Sequence, residues 1–358
     1  MPGAFDMERQ GDLSARKSDH IHMALSARTE GKEERFDYEP LLGHHDLDQI
    51  DLSTMFLGRT FSAPLWVSSM TGGSEKARTI NARLARACAR FGLGMGLGSL
   101  RPLLTGKGDF EDFHVRPLLG PDRPLYGNIG IVQVDELLRD KALGQLWEVL
   151  EKLQCDGLVV HVNPLQEWYQ PEGDFLQRPP LAIIEEFLPE CSRPIIVKEV
   201  GQGMGPRSLK ALMKLPLEAL ELAGLGGTNF SKLEWERRRE EEKRERPQDL
   251  TRVGHGALEM IDWINREEEG PNIRCRQFIV SGGVRSFLDG HYLMERLNYP
   301  SIYGQASPFL KWALESQRAL DNYIESQIAG LKMARSFLRA RSFRMGPGRL
   351  EDDDSWTV

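Results

Sequence analysis

The feature that most constrains the fold of this chain is a series of short apolar runs that end in Gly, Ser, Asn or Thr. The eight runs lie at 63–70, 92–99, 124–130, 157–164, 194–200, 219–224, 277–283 and 301–306. Each has the length of a strand, and continuous apolar strands are typical of a parallel sheet that is buried on both faces. The spacing therefore predicts eight buried parallel strands.

Amphipathic segments separate these runs. In residues 75–91, apolar side chains such as Ile80 and Leu84 keep helical spacing while the arginines between them face water. Residues 134–153 and 309–338 show the same pattern and are predicted to be helical. Strands that alternate with helices in this way predict an α/β fold, a closed (β/α)8 TIM barrel.

The remaining segments frame this barrel. Residues 61–345 are assigned to the barrel, residues 1–60 to an N-terminal extension that contributes to a lid, and residues 346–358 to an acidic C-terminal tail. Residues 232–246 are dense in charge of both signs. We interpret that stretch as a solvated helix face or a mobile segment.

Charge and hydropathy exclude several classes of protein. The formal net charge of −7 gives no general attraction to nucleic acid. The apolar runs are far shorter than the ~20 residues that cross a bilayer, and the polar N-terminus lacks the centre of a secretory signal. The four cysteines include no Cys-x-x-Cys pair, so neither a disulfide framework nor a thiolate zinc site is expected. These features predict a cytoplasmic protein with neither a nucleic-acid nor a membrane partner.

Polar, glycine-rich segments follow the predicted strands. They lie at 69–73, 98–101, 128–130, 161–167, 198–201, 226–229 and 281–285. Barrel enzymes carry their active sites at the C-terminal ends of the strands, so we expect these segments to line one mouth.

The last two strand ends carry glycine motifs. Gly282 and Gly283 follow the seventh strand, and Gly304, Gln305 and Ala306 stand at the eighth. Many barrels bind a phosphate at this place through exposed backbone N–H groups. The alternative is a pair of tight turns that need positive φ. Together the two motifs favour a phosphate-bearing cofactor.

Lys198 ends a strand whose preceding residues are apolar. Its ammonium would stabilise negative charge in the mouth, for example on a reduced flavin. The alternative is an ion pair with Glu199. Strand alternation argues against that pair because consecutive side chains point to opposite faces.

The densest polar cluster comprises His161, Asn163, Gln166 and Glu167. Its amide and carboxylate groups suit a diphosphate and a hard cation. Mg²⁺ takes one or two protein carboxylates together with substrate phosphates, so Glu167 would suffice. Considered alone, His161 is better interpreted as a hydrogen-bonded barrel histidine.

The N-terminal extension carries Arg-Lys-Ser-Asp-His at 16–20. Composition alone favours a basic patch on a mobile arm. The alternative is a lid that carries cations onto a substrate anion.

Several of these motifs together resemble a known family, the FMN-dependent type 2 isopentenyl-diphosphate isomerases. The matching stretches are 16–21, 68–73, 94–99, 128–130, 161–167, 170–174, 196–201, 226–229 and 281–285. The block at 161–174 is the most specific, whereas many flavin barrels share the glycine motifs. One departure is Leu100, which stands where the family usually has Gln.

The resemblance implies roles for individual residues. It implies FMN contacts from Ser69, Met70, Thr71, Ser99, Asn128, Lys198, Thr228, Gly282, Gly283, Arg285, Gln305 and Ala306. It implies substrate contacts from Arg16, Lys17, His20, Ser99, Arg101, His161, Asn163 and Gln166, with Mg²⁺ held by Glu167. It also implies a homo-oligomer, a tetramer or larger, that takes a small diphosphate substrate.

The implied reaction moves the double bond of isopentenyl diphosphate to give dimethylallyl diphosphate, a step of isoprenoid biosynthesis. One carbon gains a proton and another loses one, and the chain offers no obvious strong acid. The resemblance implies that reduced flavin acts as acid and base near its N5. Gln166 and Lys198 would be the catalytic side chains, and NAD(P)H would serve only to reduce the flavin.

Two alternatives remain open. One is an FMN oxidoreductase on the same barrel, such as a 2-hydroxy-acid oxidase, although no His-Gly-Arg base stands near the seventh strand. The other is a non-catalytic phosphate-binding barrel.

Overall fold

The computed structural model gives the chain a barrel architecture. It describes residues 23–24, 27, 31, 33–70, 75–171, 173–243, 245–267 and 272–341. Within these ranges, no helix combines the length and the apolar character needed to span a bilayer.

The described strands are short and lie close to the predicted apolar runs. They are β1 (Phe36–Tyr38), β2 (Thr54–Phe56), β3 (Arg59–Phe61), β4 (Leu65–Val67), β5 (Gly94–Gly96), β6 (Leu125–Gly130), β7 (Gly157–His161), β8 (Ile195–Lys198), β9 (Ala219–Glu221), β10 (Phe278–Val280), β11 (Ser301–Gln305) and β12 (Leu338–Ala340). Strands β4 to β11 pair in parallel in chain order, and β11 closes on β4. The predicted eight-stranded barrel is confirmed.

Helices follow the barrel strands. They are α1 (Glu75–Phe91), α2 (Arg101–Leu104), α3 (Arg116–Leu119), α4 (Ile131–Arg139), α5 (Leu143–Lys152), α6 (Pro164–Tyr169), α7 (Pro180–Phe187), α8 (Pro206–Met213), α9 (Phe230–Arg237), α10 (Glu240–Lys243), α11 (Ala257–Arg266), α12 (Phe287–Arg296), α13 (Ser307–Glu315) and α14 (Gln317–Phe337). Short 3-10 turns stand at Phe110–Asp112, Leu188–Glu190 and Gln248–Arg252.

Both longer amphipathic segments are helical as predicted, and each contains two helices. Residues 134–153 divide into α4 and α5 because Lys141 adopts φ of 54°, a left-handed conformation that stops a helix. Residues 309–338 divide into α13 and α14 at Ser316, whose backbone is extended. The Ser316 hydroxyl accepts the N–H of Ala319 at 3.0 Å and so caps α14.

Side chains that point into the barrel form two layers. The lower layer is apolar and contains Trp66, Tyr126, Val159, Ile196, Ala219, Ile279 and Ile302. Because strand side chains alternate, the residues two positions further along also point inward. That upper layer contains Ser68, Gly96, Asn128, His161, Lys198, Glu221, Ser281 and Gly304. The barrel interior therefore changes from apolar to polar toward the C-terminal ends of its strands.

The β2–β3 hairpin covers the opposite end of the barrel. Its Phe56 and Phe61 are buried in the apolar layer. The Leu57 N–H donates to Gln277 Oε1 at 2.9 Å, and Gln277 directly precedes β10. Part of the N-terminal extension thus seals the N-terminal end of the barrel, away from the mouth.

The two ends of the described chain also meet. Strand β1 pairs antiparallel with β12, with Phe36 opposite Ala340. Arg35 forms an ion pair with Asp289 on α12 at 2.8 Å. The predicted lid residues 16–20 lie outside the described residues.

Loss of the Phe61 side chain from the β2–β3 hairpin should destabilise the barrel. Phe61→Ala removes a fully buried ring, which typically costs about 3–5 kcal/mol. We expect the urea midpoint to fall accordingly. Met55→Ala in the same hairpin is the control, because Met55 is 63% exposed and its loss should leave the midpoint nearly unchanged. Equal losses in both variants would contradict the sealing role.

Candidate active site

Glu221 is the buried carboxylate of the polar layer. Its Oε1 accepts hydrogen bonds from Ser68 Oγ at 2.6 Å and from Ser281 Oγ at 3.1 Å. Ser281 Oγ in turn accepts the N–H of Ala223 at 3.0 Å, which directs its own hydrogen toward the carboxylate. Sequence reasoning missed Glu221 and Ser68. The period of two along each strand was the signal that could have found them.

Lys198 lies beside Glu221 on the neighbouring strand. Its Nζ donates to the main-chain oxygen of Glu199 at 2.7 Å. The Glu199 carboxylate turns away and accepts the N–H groups of Gly201, Gln202 and Gly203 at 2.5–3.0 Å. Burial raises the pKa of Glu199, while these donors and Lys198 oppose that rise. The two side chains do not form an ion pair, as the alternation predicted.

His161 lies on the other side of Lys198, at the end of β7. Its Nδ1 is 2.9 Å from Asn128 Oδ1 on β6. Burial and the Lys198 ammonium lower the pKa of His161 to about 3. The imidazole is therefore neutral near pH 7, and it contributes hydrogen bonding rather than charge to the mouth.

The first turn of α6 gathers the predicted diphosphate and metal residues. Asn163 Nδ2 donates to Gln166 Oε1 at 3.1 Å and to Glu167 Oε1 at 3.0 Å. Glu167 Oε2 accepts the N–H of Asp174 at 3.1 Å, and Asp174 holds Arg101 at 2.8 Å. The structure therefore brings together Arg101, Asn163, Gln166 and Glu167, which the sequence analysis assigned to substrate and metal.

The donor set of this turn suits a hard cation. Asn163 Oδ1 is buried and accepts no hydrogen bond within the described residues. Glu167 is buried beside it. In the described part of the chain, no group of three or more His, Cys, Asp or Glu side chains could hold a metal by itself. A cation here would therefore depend on a few oxygen ligands together with substrate phosphates, as is usual for Mg²⁺.

The charged stretch at 232–246 packs against the other end of α6. Arg238 is buried and donates to the main-chain oxygens of Tyr169 at 2.5 Å and Gln170 at 3.2 Å. Arg246 donates to the main-chain oxygen of Trp168 and lies 4.8 Å from the centre of its ring. Most of the described residues of this stretch are exposed, as predicted for a solvated helix face, but Arg238 and Arg246 differ because they cap the carbonyl groups that end α6.

Glycine turns form the side of the mouth above β9 and β10. Gly282 has φ of 91° and Gly283 has φ of 74°. A Cβ on Gly282 would lie 2.1 Å from the main-chain N and O atoms of Gly224. The requirement for positive φ is confirmed here, and phosphate binding stays a prediction. Beside these turns, Thr228 Oγ1 is 2.9 Å from the hydroxyl of Ser307, the first residue of α13.

Other predicted cofactor residues differ in what they offer the mouth. Ser69 Oγ is buried and has no hydrogen-bond partner among the described residues. Met70 beside it is half-buried. Arg285 is largely exposed, and its Nε lies 3.4 Å from Asp289. Ala306 occupies the N-cap position of α13.

The Gln305 side chain is held on the outer face of β11. Its Nε2 donates to the main-chain oxygen of Val284 at 3.1 Å, and its Oε1 accepts the hydroxyl of Tyr323 on α14 at 2.8 Å. Because Ile302 and Gly304 point inward, the Gln305 side chain points to the helices. Only its main chain is left for a cofactor.

Burial accounts for Leu100, the departure from the family pattern. Leu100 is fully buried in the cluster between the barrel wall and the helices. Its N–H donates to the main-chain oxygen of Asn128 at 2.7 Å. Ser99 Oγ accepts the N–H of Arg101 at 3.4 Å, so the polar residues on both sides of Leu100 keep a local contact.

The remaining predicted site residues, Arg16, Lys17, His20 and Thr71, lie outside the described residues.

The fold and the mouth define a (β/α)8 barrel enzyme with its polar groups at the strand ends. Among solved structures, a mutant of flavocytochrome b2 with benzoylformate is 16% identical, with a TM-score of 0.59 over 89% of this chain and 83% of that chain. The recombinant flavin-binding domain of baker's yeast flavocytochrome b2 is 15% identical, with a TM-score of 0.59 over 84% of this chain and 71% of that domain. At this identity the likeness shows the fold alone.

Curated relatives are much more similar in sequence. A protein of Synechococcus sp. is 35% identical over 92% of this chain and 94% of its own length, and one of Rickettsia akari is 37% identical over 89% and 92%. Both are named isopentenyl-diphosphate delta-isomerase. No family model matches the chain. The chain belongs to the isopentenyl-diphosphate delta-isomerase family, and the predicted family is confirmed.

The lowered pKa of His161 should make stability depend on pH. Between its ordinary pKa of 6.5 and about 3, the unfolded chain binds a proton that the folded chain does not, so stability falls as pH falls. From pH 7 to pH 5 this histidine should cost about 2 kcal/mol. His161→Asn should lose that much less stability than the wild type in urea unfolding at the two pH values.

An exposed histidine provides the control for this comparison. His44→Asn should keep the wild-type pH dependence, because the His44 side chain lies at the surface. Parallel pH profiles for wild type and His161→Asn would refute the assignment.

Proposed function

We propose that this protein interconverts isopentenyl diphosphate and dimethylallyl diphosphate in isoprenoid biosynthesis, with FMN and Mg²⁺ as cofactors. The observation that carries the proposal is one mouth that joins a buried cation, Lys198, to the Asn163, Gln166 and Glu167 turn. The names of the curated relatives support the substrate. The diphosphate substrate needs both halves of the mouth. The half around Lys198 would face the reacting carbons, and the α6 turn would bind the phosphates.

A flavin fits the half above β8 to β11. Lys198 offers an ammonium there, Ser69 Oγ lacks a partner among the described residues, and the Gly282–Gly283 turn brings backbone close to a ligand. A solved mandelate oxidase mutant with the monooxide FMN adduct has a TM-score of 0.50 to this chain. When bound and reduced, the flavin would supply the group that donates and accepts the migrating proton, and NAD(P)H would serve to reduce it.

The chain's own residues would orient the substrate and stabilise charge in the mouth. The Lys198 ammonium would hold negative charge at the floor of the mouth. Neutral His161 and Asn128 would contribute hydrogen bonds without adding charge. Gln166, held by Asn163, would orient a proton at the reacting carbons. Residues of the N-terminal arm would exclude water from the cationic reaction centre.

Glu167 would hold Mg²⁺ with the substrate diphosphate. Its two oxygens each accept one hydrogen bond, from Asn163 and from the main chain of Asp174, which fixes the plane of the carboxylate. Mg²⁺ prefers such oxygen ligands and keeps the remaining positions for phosphate and water. Arg101 beside Asp174 would contact the diphosphate.

We also propose a cytoplasmic homo-oligomer, a tetramer or larger, as the family resemblance implies. Size-exclusion chromatography with light scattering would measure the assembly.

The central experiment follows deuterium. Full-length protein is loaded with FMN, reduced with dithionite, and incubated with isopentenyl diphosphate and Mg²⁺ in deuterated water. We expect dimethylallyl diphosphate that carries deuterium, with no net oxidation of flavin. Oxidised enzyme is the control and should not turn over. Unlabelled substrate together with anaerobic flavin reduction by a 2-hydroxy acid would favour the oxidoreductase instead.

Glu167→Gln tests the metal assignment. The variant keeps the size of the side chain and removes its charge, so the Mg²⁺ concentration for half-maximal activity should rise at least tenfold. Bound FMN, measured by absorbance, should be unchanged. Glu185→Gln on the surface of α7 is the control. Loss of flavin from Glu167→Gln with unchanged Mg²⁺ dependence would overturn the assignment.

A further inference from the structure

Glu221 is buried more completely than Glu167 or Glu199, the other carboxylates beside the mouth. It is 1% exposed, and its Oε2 has no hydrogen-bond partner among the described residues. A buried carboxylate is costly unless other groups compensate its charge. The hydroxyls of Ser68 and Ser281 both donate to Oε1, so neither accounts for Oε2.

The nearest cation in the same layer is Lys198. The two residues are register partners on adjacent parallel strands, and both side chains point inward. Backbones of neighbouring strands lie about 4.8 Å apart, so the two charges share a small, poorly hydrated space. Lys198 is 7% exposed, and its ammonium has three donors, whereas among the described residues one acceptor, the Glu199 main-chain oxygen, is within hydrogen-bond distance.

No other member of the polar layer can balance the Lys198 charge. His161 is neutral and Asn128 is uncharged. The Glu199 carboxylate faces the opposite side of the strand, where three main-chain N–H groups hold it. Glu221 is the one carboxylate of the layer. No ion pair within 4.0 Å joins it to Lys198, so its negative charge would offset the ammonium charge over a longer distance, across the floor of the mouth.

We infer that Glu221 is a positioning residue, the counter-charge that keeps the Lys198 ammonium in the barrel floor and limits the positive potential that a bound flavin would meet. The inference rests on the proposed function. Without Glu221 the ammonium would be uncompensated, and an anionic reduced flavin would gain more stabilisation than the oxidised form. The anionic reduced flavin would then be stabilised so strongly that it would no longer exchange a proton reversibly.

Redox titration of bound FMN tests this inference. In Glu221→Gln, the ratio of affinities for reduced and oxidised FMN should rise at least tenfold, which moves the two-electron midpoint potential upward by about 30 mV. The kcat should fall, and the KM for the diphosphate should stay within about twofold because Glu221 is on β9 and not on the α6 turn assigned to the phosphates. Glu221→Asp keeps the charge and should stay near the wild type.

Asp156→Asn is the matched control. Asp156 pairs with Arg116 before β7, at the opposite end of the barrel, so its variant should leave the potential unchanged. A double-mutant cycle with Lys198→Met is decisive. The shift caused by Glu221→Gln should vanish in the Lys198→Met background. A shift that persists there, or none in the single variant, would overturn the inference.

The same double-mutant cycle can be measured without a cofactor, as the unfolding temperatures of the flavin-free full-length variants. Breaking one member of a buried charge pair costs more than removing both. Glu221→Gln/Lys198→Met should therefore unfold at a higher temperature than Glu221→Gln alone, even if the single variant folds poorly. Additive losses would refute the pairing. A wild type that neither binds FMN nor isomerises would instead refute the proposed function, and the stability cycle would still judge the pair.

Discussion

The two-residue period of parallel strands in a closed barrel is the constraint on which the rest of this structure depends. It forces every second side chain inward, so a strand that begins with an apolar inward residue can end with a polar one. Val159 and His161 on β7, or Ile196 and Lys198 on β8, show this change within a single strand. The apolar layer with the hairpin beneath it supplies burial, and the layer above it supplies chemistry.

This arrangement places charge where water is scarce. Lys198 and Glu221 lie on adjacent strands, and the hydroxyls of Ser68 and Ser281 hold the carboxylate. Neutral His161 fits the same logic, because a second cation beside Lys198 would raise the cost of burial. Burial and the Lys198 ammonium thus keep His161 neutral before any ligand enters.

Local pattern predicted the barrel, helix α1 and the residues that converge at the mouth. It does not reveal a local backbone conformation that the residue type leaves open, or a contact with a distant part of the chain. Lys141 ends α4 in a left-handed conformation that its residue type does not announce. The sequence pattern indicates surface charge for Arg238 and Arg246 because their partners, the carbonyls ending α6, lie 69 and 78 residues earlier. Gln305 is different, since strand alternation applied to Gly304 already turns its side chain outward.

The arginine contacts give the most specific block of the sequence a physical meaning. Asn163, Gln166 and Glu167 stand on the first turn of α6, a helix of six residues that has little stability of its own. Arg238 and Arg246 hold its last carbonyls, and the Tyr169 hydroxyl donates to the main chain of Pro247 at 2.6 Å. The orientation of the first turn therefore depends on a segment outside the barrel. A charged segment after β9 can in this way set the geometry of the mouth at β7 by holding the far end of α6.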